Sequence, residues 1–243
     1  MDSGAPSFIG GFEERIIATL DGLALYARDY PPLLPQTGLP VMCLHGLTRN
    51  ARDFAVIAPR QRDFLYNADH LGGRWVIRTN WNAKNFKLMQ VADGAANGMR
   101  DAWTDLVAHD PNVFIEGYEL FDGFLAVEER SGGLKRLRTL RGSENMFVAA
   151  DEPAYAMALS VNSEPSTPLL RYTYNSLTTP TTTYELDTAT GARNVLKVQP
   201  VLGGYDKANY LTERLWVPAR DGTKVPVSLV YRKGTPRDGT AAL

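Results

Sequence analysis

From Phe64 onward the chain breaks into short strand-like runs separated by turn residues, and this recurrence limits the possible folds more than any other feature. Phe64 to Asn67, Arg74 to Asn80, Phe86 to Val91 and Asp105 to Ala108 make a first set, broken at Asn67-Ala68-Asp69, Gly72-Gly73, Asn82-Ala83-Lys84 and Asp93-Gly94. Val113 to Leu120, Phe124 to Arg130, Leu134 to Leu140 and Met146 to Ala149 make a second. Tyr155 to Val161, Leu169 to Tyr174, Thr182 to Asp187 and Asn194 to Lys197 make a third. Groups of four strands repeating every ~45 residues have the spacing of propeller blades, each a four-stranded sheet. The expected fold is mostly β: a partial β-propeller of about three four-stranded blades.

Two Asp-Gly pairs flank this region. Leu215, Val217 and Ala219 alternate before Asp221-Gly222, and Val225, Val227, Leu229 and Tyr231 alternate after it. Period-two spacing around a pair that tolerates positive φ predicts a tight hairpin. Ile16 to Leu20 and Leu23 to Tyr30 flank Asp21-Gly22 in the same way. A loop punctuated by Pro31, Pro32, Pro35 and Pro40 follows, then an apolar run from Leu39 to Leu44 of the kind that forms a doubly buried strand. Next come His45-Gly46-Leu47-Thr48-Arg49-Asn50 and helical spacing over Ala51 to Ala58. A His-Gly pair at a strand end also forms ordinary turns. Strand, His-Gly loop and helix together resemble the N-terminal part of the α/β-hydrolase family. That resemblance implies an oxyanion loop at His45, Gly46 and Leu47, with the Leu47 backbone N–H as donor.

The chain has 243 residues, 22% charged, with a formal net charge of -1, so no basic excess points to nucleic acid or an anionic membrane surface. No apolar run approaches the roughly 20 residues of a membrane-spanning helix. Met1 to Gly11 has neither a basic nor a continuous apolar stretch, and Cys43 has no internal disulfide partner. A cytoplasmic location is expected.

Longer stretches carry a second resemblance. They are Trp75 to Asn80 with Ala83 to Leu88, Gly123 to Arg130 with Gly133-Leu134, and Arg171 to Pro180. Gly203-Gly204-Tyr205-Asp206 follows, then Tyr210, Glu213-Arg214 and the Asp-Gly hairpin. In this order, from about Arg62 to Gly239, they resemble the second half of the propeller of oligopeptidase B, in the prolyl oligopeptidase family of serine peptidases. The resemblance implies a propeller that restricts access to a separate α/β-hydrolase domain holding a Ser-Asp-His triad. It also implies short peptide substrates, cleaved after Arg or Lys in the oligopeptidase B branch.

The residues themselves supply little of that chemistry. A nucleophile elbow reads G-x-S-x-G, and no serine here has a glycine two positions before it. His70 and His109 fall at strand ends or turns, where a structurally satisfied histidine is expected. No carboxylate, cysteine or histidine cluster has metal-ligand spacing, and no cofactor is expected. Gly72-Gly73, Gly132-Gly133 and Gly203-Gly204 read as turns, since none opens a helix. Neighbouring strand residues point to opposite faces, so at most one of Glu128 and Glu129 faces a channel; one is expected to pair with Lys135 or Arg136, and the other to be solvated. Trp75, Trp103 and Trp216 read as core anchors. Arg171 and Tyr172 are candidates for a blade edge.

The expected organisation is a hydrolase-like fragment over residues 1–60, propeller blades over 61–204, and a linker with the first hairpin of a catalytic domain over 205–243. Two hydrolase-like hairpins in one chain point to a fusion of incomplete genes, with the junction between Pro59 and Asp63. No catalytic residue is assigned, and the chain alone is expected to be inactive. A complementary catalytic chain is a possible partner. Two other readings stand beside this one: a non-catalytic peptide- or partner-binding module, and an esterase-type α/β-hydrolase fragment resting on His45-Gly46. Open terminal blade faces are expected to be apolar.

Overall fold

The computed structural model describes residues 13–18, 24–29, 57–59, 61–96 and 100–240. The His45-Gly46-Leu47 loop lies outside them, as does nearly all of the helix expected at Ala51 to Ala58. The chain divides into two compact units, one of residues 1–79 with 88–108 and one of residues 80–87 with 109–243.

In the first unit, β1 (Glu13–Ala18) pairs antiparallel with β2 (Ala24–Asp29), from Glu13↔Asp29 to Ala18↔Ala24, and the Asp21-Gly22 pair lies outside the described residues. A four-stranded sheet follows, β3 (Tyr66–Leu71), β4 (Arg74–Thr79), β5 (Lys87–Ala92) and β6 (Thr104–Val107), in sequential order. Trp75, Val76 and Ile77 are consecutive and all buried, because β4 is an inner strand covered on both faces. Gly72 and Gly73, at φ 63° and 76°, make the two-residue turn from β3 to β4, where both central residues need the left-handed region.

The second unit contains two meanders. One is β7 (Val113–Leu120), β8 (Leu125–Ser131), β9 (Leu134–Arg141) and β10 (Glu144–Phe147). The other is β11 (Tyr155–Leu159), β12 (Leu169–Ser176), β13 (Thr182–Asp187) and β14 (Arg193–Val198). All three sets of strands expected from the turn spacing are present. The second and third sets do not form separate sheets, however. The outer edge of β9 is shared: β10 pairs with its C-terminal half, and β11 adds a single parallel bridge, Ala156↔Lys135. That bridge joins the meanders into one eight-stranded sheet.

Their shared core contains Phe121, Phe124, Ala126, Leu137, Met157, Leu170, Tyr172 and Tyr174. Leu170, Tyr172 and Tyr174 alternate along β12, so all three face inward. Burial of each such side chain contributes about 1.5–3 kcal/mol. The blade-edge role considered for Tyr172 is therefore not what the structure shows. Tyr172 is a core residue, stacked on Tyr184 at 5.5 Å between ring centroids, while Arg171 on the opposite face pairs with Glu185 at 3.1 Å.

β15 (Tyr210–Pro218) and β16 (Lys224–Arg232) form the expected hairpin. Its turn is longer than a two-residue Asp-Gly turn. Ala219 N–H donates to Thr223 O at 2.8 Å and Gly222 N–H to Ala219 O at 2.9 Å. Only Gly222, at φ 82°, is left-handed, while Asp221 accepts Thr223 N–H through Oδ1. This is a type I turn closed by a glycine bulge. No α-helix occurs among the described residues.

Candidate functional site

The polar chemistry of the second unit is concentrated on β7, β8 and β9. Glu128 and Glu129 point to opposite faces of β8, as alternation requires. On one face, Lys135 lies 2.7 Å from Glu128 and 2.8 Å from Glu116, and Arg130 lies 2.6 Å from Glu116. Burial pushes the Glu116 carboxyl up, but hydrogen bonds from Lys135 and Arg130 outweigh it and hold the group below the usual carboxylate range. Burial likewise pushes Lys135 down, and its two carboxylate partners bring it above its ordinary value. Glu128 Oε2 also accepts the Leu159 N–H at 2.9 Å, tying the end of β11 to the preceding meander.

On the other face Glu129 is 1% exposed. Arg136 donates to it at 2.7 Å, and Arg138 Nε lies 2.8 Å from Oε2 as a charge contact not aligned as a hydrogen bond. Arg136 in turn stacks over Phe147 at 4.4 Å. One half of the sequence expectation holds, since Glu128 pairs with Lys135. The solvated partner does not exist: Glu129 is the more buried of the two, because β8 is covered on both faces.

A third cluster was missed. Glu152, between the two meanders, accepts hydrogen bonds from Thr178 Oγ1 at 2.6 Å, Tyr174 OH at 2.7 Å and Thr179 Oγ1 at 2.9 Å, and Lys207 lies 2.9 Å away. Burial raises its pKa, but these donors outweigh that effect and bring it down to about 2. Thr178 and Thr179 were legible as a motif. Glu152 sits in a Pro-containing turn with no pattern to mark it, and Lys207 lies 55 positions further along the sequence.

Between β9–β10 and β13–β14 lies a cleft of about 520 Å³, lined by Met146, Phe147, Val148, Leu186, Thr188 and Arg193 among others. Arg193 Nη2 donates to both carboxylate oxygens of Asp151, each at 2.9 Å.

Neither described histidine is arranged as a base. His70 Nε2 bridges the two oxygens of Asp93 at 2.8 and 2.9 Å beside the Trp75 ring, and His109 accepts the Asn85 N–H at 3.4 Å. Among the described residues neither contacts a serine hydroxyl, and no group of three or more His, Cys, Asp or Glu side chains is placed to hold a metal. Trp75 and Trp103 are core anchors as expected, but Trp216 is not, being 53% exposed. One side of its ring rests on the Gly132-Gly133 turn.

Paired carboxylates, buried guanidinium contacts and four-stranded meanders define a propeller segment whose charges are used for cohesion. A family model described as "Prolyl oligopeptidase, N-terminal beta-propeller domain" matches residues 42–199. The chain belongs to this family. The match includes His45, Gly46 and Leu47 and extends across the interval from Pro59 to Asp63. The chain is 55% identical over 194 residues to dipeptidyl aminopeptidase BI of Pseudoxanthomonas mexicana, covering 78% of this chain and 26% of that protein. It is 30% identical over 188 residues to protease 2 of Moraxella lacunata, covering 77% of this chain and 27% of the relative. Among solved structures, oligopeptidase B of Leishmania major superposes with a TM-score of 0.67 at 32% identity, over 79% of this chain and 28% of that one. The chain thus spans about a quarter of the length of the curated relatives it matches.

Proposed function

We propose that this chain is the access-restricting propeller segment of a prolyl oligopeptidase-type serine peptidase acting on short peptides, and that it cleaves no peptide by itself. The observation that supports this best is the unbroken run of strands from β3 to β14 within a family match over residues 42–199. The absence of a G-x-S-x-G elbow in the sequence supports inactivity. The 55% relative is named a dipeptidyl aminopeptidase, whereas the oligopeptidase B structure is 32% identical. Release of N-terminal dipeptides is therefore favoured over internal cleavage after Arg or Lys. Purified chain incubated with a dipeptidyl amide and with a short arginyl amide is expected to release neither leaving group. Turnover abolished by replacing a named serine of this chain would overturn the proposal.

A partner-binding reading is favoured by one observation. Cross-strand pairs place Leu211, Leu215, Val217, Val225, Val227, Leu229 and Tyr231 on the same face of the β15–β16 hairpin. Four of them, Leu211, Leu215, Val217 and Val225, are 40–44% exposed. Such a face fits a hydrolase sheet supplied by a complementary catalytic chain. Co-expression with the C-terminal remainder of the Pseudoxanthomonas mexicana relative is expected to give a co-purifying complex, and separate elution would count against it. The reading of residues 12–60 as a fused hydrolase-like fragment belongs to the same proposal. Sequencing the genomic locus across the Pro59 to Asp63 codons tests it, and a continuous frame shared with longer relatives would remove it.

A further inference from the structure

Residues 194–211, which run from β14 through its connection into the start of β15, are exposed without exception. At the start of this stretch Gln199 N–H donates to Thr181 O at 2.9 Å. From Pro200 to Gly204 the segment makes a local turn at Leu202-Gly203 and no hydrogen bond to another element among the described residues, and Leu202 is 93% exposed. Gly203 and Gly204 follow, at φ 86° and 83°, with open space where a Cβ would stand. Two adjacent left-handed glycines can swing the chain at little steric cost.

Directly after them the segment is fastened. Tyr205 OH donates to Thr178 O at 2.7 Å, and Lys207 Nζ reaches Thr179 Oγ1 at 2.7 Å and Glu152 at 2.9 Å. Asp206 Oδ1 accepts the Ala208 N–H at 2.8 Å, closing a single 3₁₀ turn that holds Lys207 in position. On the blade side the catch is already assembled. Tyr174 and Thr178, both of the meander, donate to Glu152, whose side chain is 7% exposed with Lys207 in contact. Lys207, by contrast, is half-exposed.

We propose that residues 200–209 are a strap, hinged at Gly203-Gly204 and latched to the β11–β14 meander by Lys207 and Tyr205 on the preformed Glu152 catch. Opening the latch frees the strap and the start of β15 while the meander stays folded. The device holds the start of β15 at the blade, in addition to the seat that Gly132 and Gly133 give Trp216, Arg214 and Pro226 of the hairpin.

Hydrogen exchange followed by mass spectrometry on the full chain tests this, comparing wild type with Lys207→Gln and with Lys207→Gln/Tyr205→Phe. The expected result is exchange at least about tenfold faster in residues 205–211, with amides of β12 and β13 unchanged. Strap exchange that does not change would overturn the proposal. So would an equal rise throughout β11 to β14, or loss of the β signal in the single variant, because each would make Lys207 part of the blade's own core.

Discussion

Glu129 shows how much a single residue depends on its neighbours. With Arg136 and Arg138 beside it, the buried carboxylate is neutralised on the spot. Glu129→Ala would leave two guanidinium groups facing each other with no compensating charge. A loss of about 3–5 kcal/mol is expected, read as a lower urea midpoint at unchanged slope. Glu152 behaves differently, because its pKa falls from an ordinary 4.5 to about 2 on folding. A depressed carboxylate adds stability that is fully present above its unfolded pKa and is lost as pH falls through the folded one. The stability gap between wild type and Glu152→Gln is therefore expected to close progressively between about pH 4.5 and pH 2, in acid titrations followed by circular dichroism.

At the scale of elements, the β8–β9 turn carries two burdens. Gly132 and Gly133, at φ 55° and 78°, make a two-residue turn and also form the seat of the β15–β16 hairpin. A Cβ on Gly133 would stand 3.0 Å from Arg214 Nη2 and 3.2 Å from Pro226 Cγ, while Arg214 donates to Gly132 O. Gly133→Ala therefore meets both a left-handed backbone penalty and a clash. A cost of about 1–2 kcal/mol is expected, with Trp216 fluorescence shifting to the red as the ring loses its seat. The turn was legible because paired glycines between alternating runs have few other uses. Its contact with a strand more than 80 positions later was not, since nothing local encodes it.

At the scale of the molecule, the exposed apolar surface is the feature that most affects behaviour. Beyond the outer hairpin face, Val195, Leu196 and Val198 on β14 are also about half exposed. β14 is the last strand in its sheet, and its far edge has no strand beside it among the described residues. Replacing Leu215 and Val217 with lysine is expected to lower self-association in analytical ultracentrifugation with little change in thermal midpoint, because neither side chain is buried in the second unit.

Strand positions were readable from local pattern. Period-two alternation and glycine-rich breaks constrain most runs within a few residues; the exception is β3, which runs through the Asn67-Ala68-Asp69 stretch expected as a turn, because those residues pair with β4. Position in the sheet and depth of burial were not readable. Trp216 and Trp75 both lie in strand-like runs, yet one is half exposed and the other is core. Glu128 and Glu129 are adjacent and one of them was expected in solvent, yet both are paired and Glu129 is buried. Which face of a strand is covered depends on chain that returns from tens of residues away. Only the assembled sheets could decide that β8 has no solvent side, that β9 shares one edge with two partners, and that Lys207 meets Glu152.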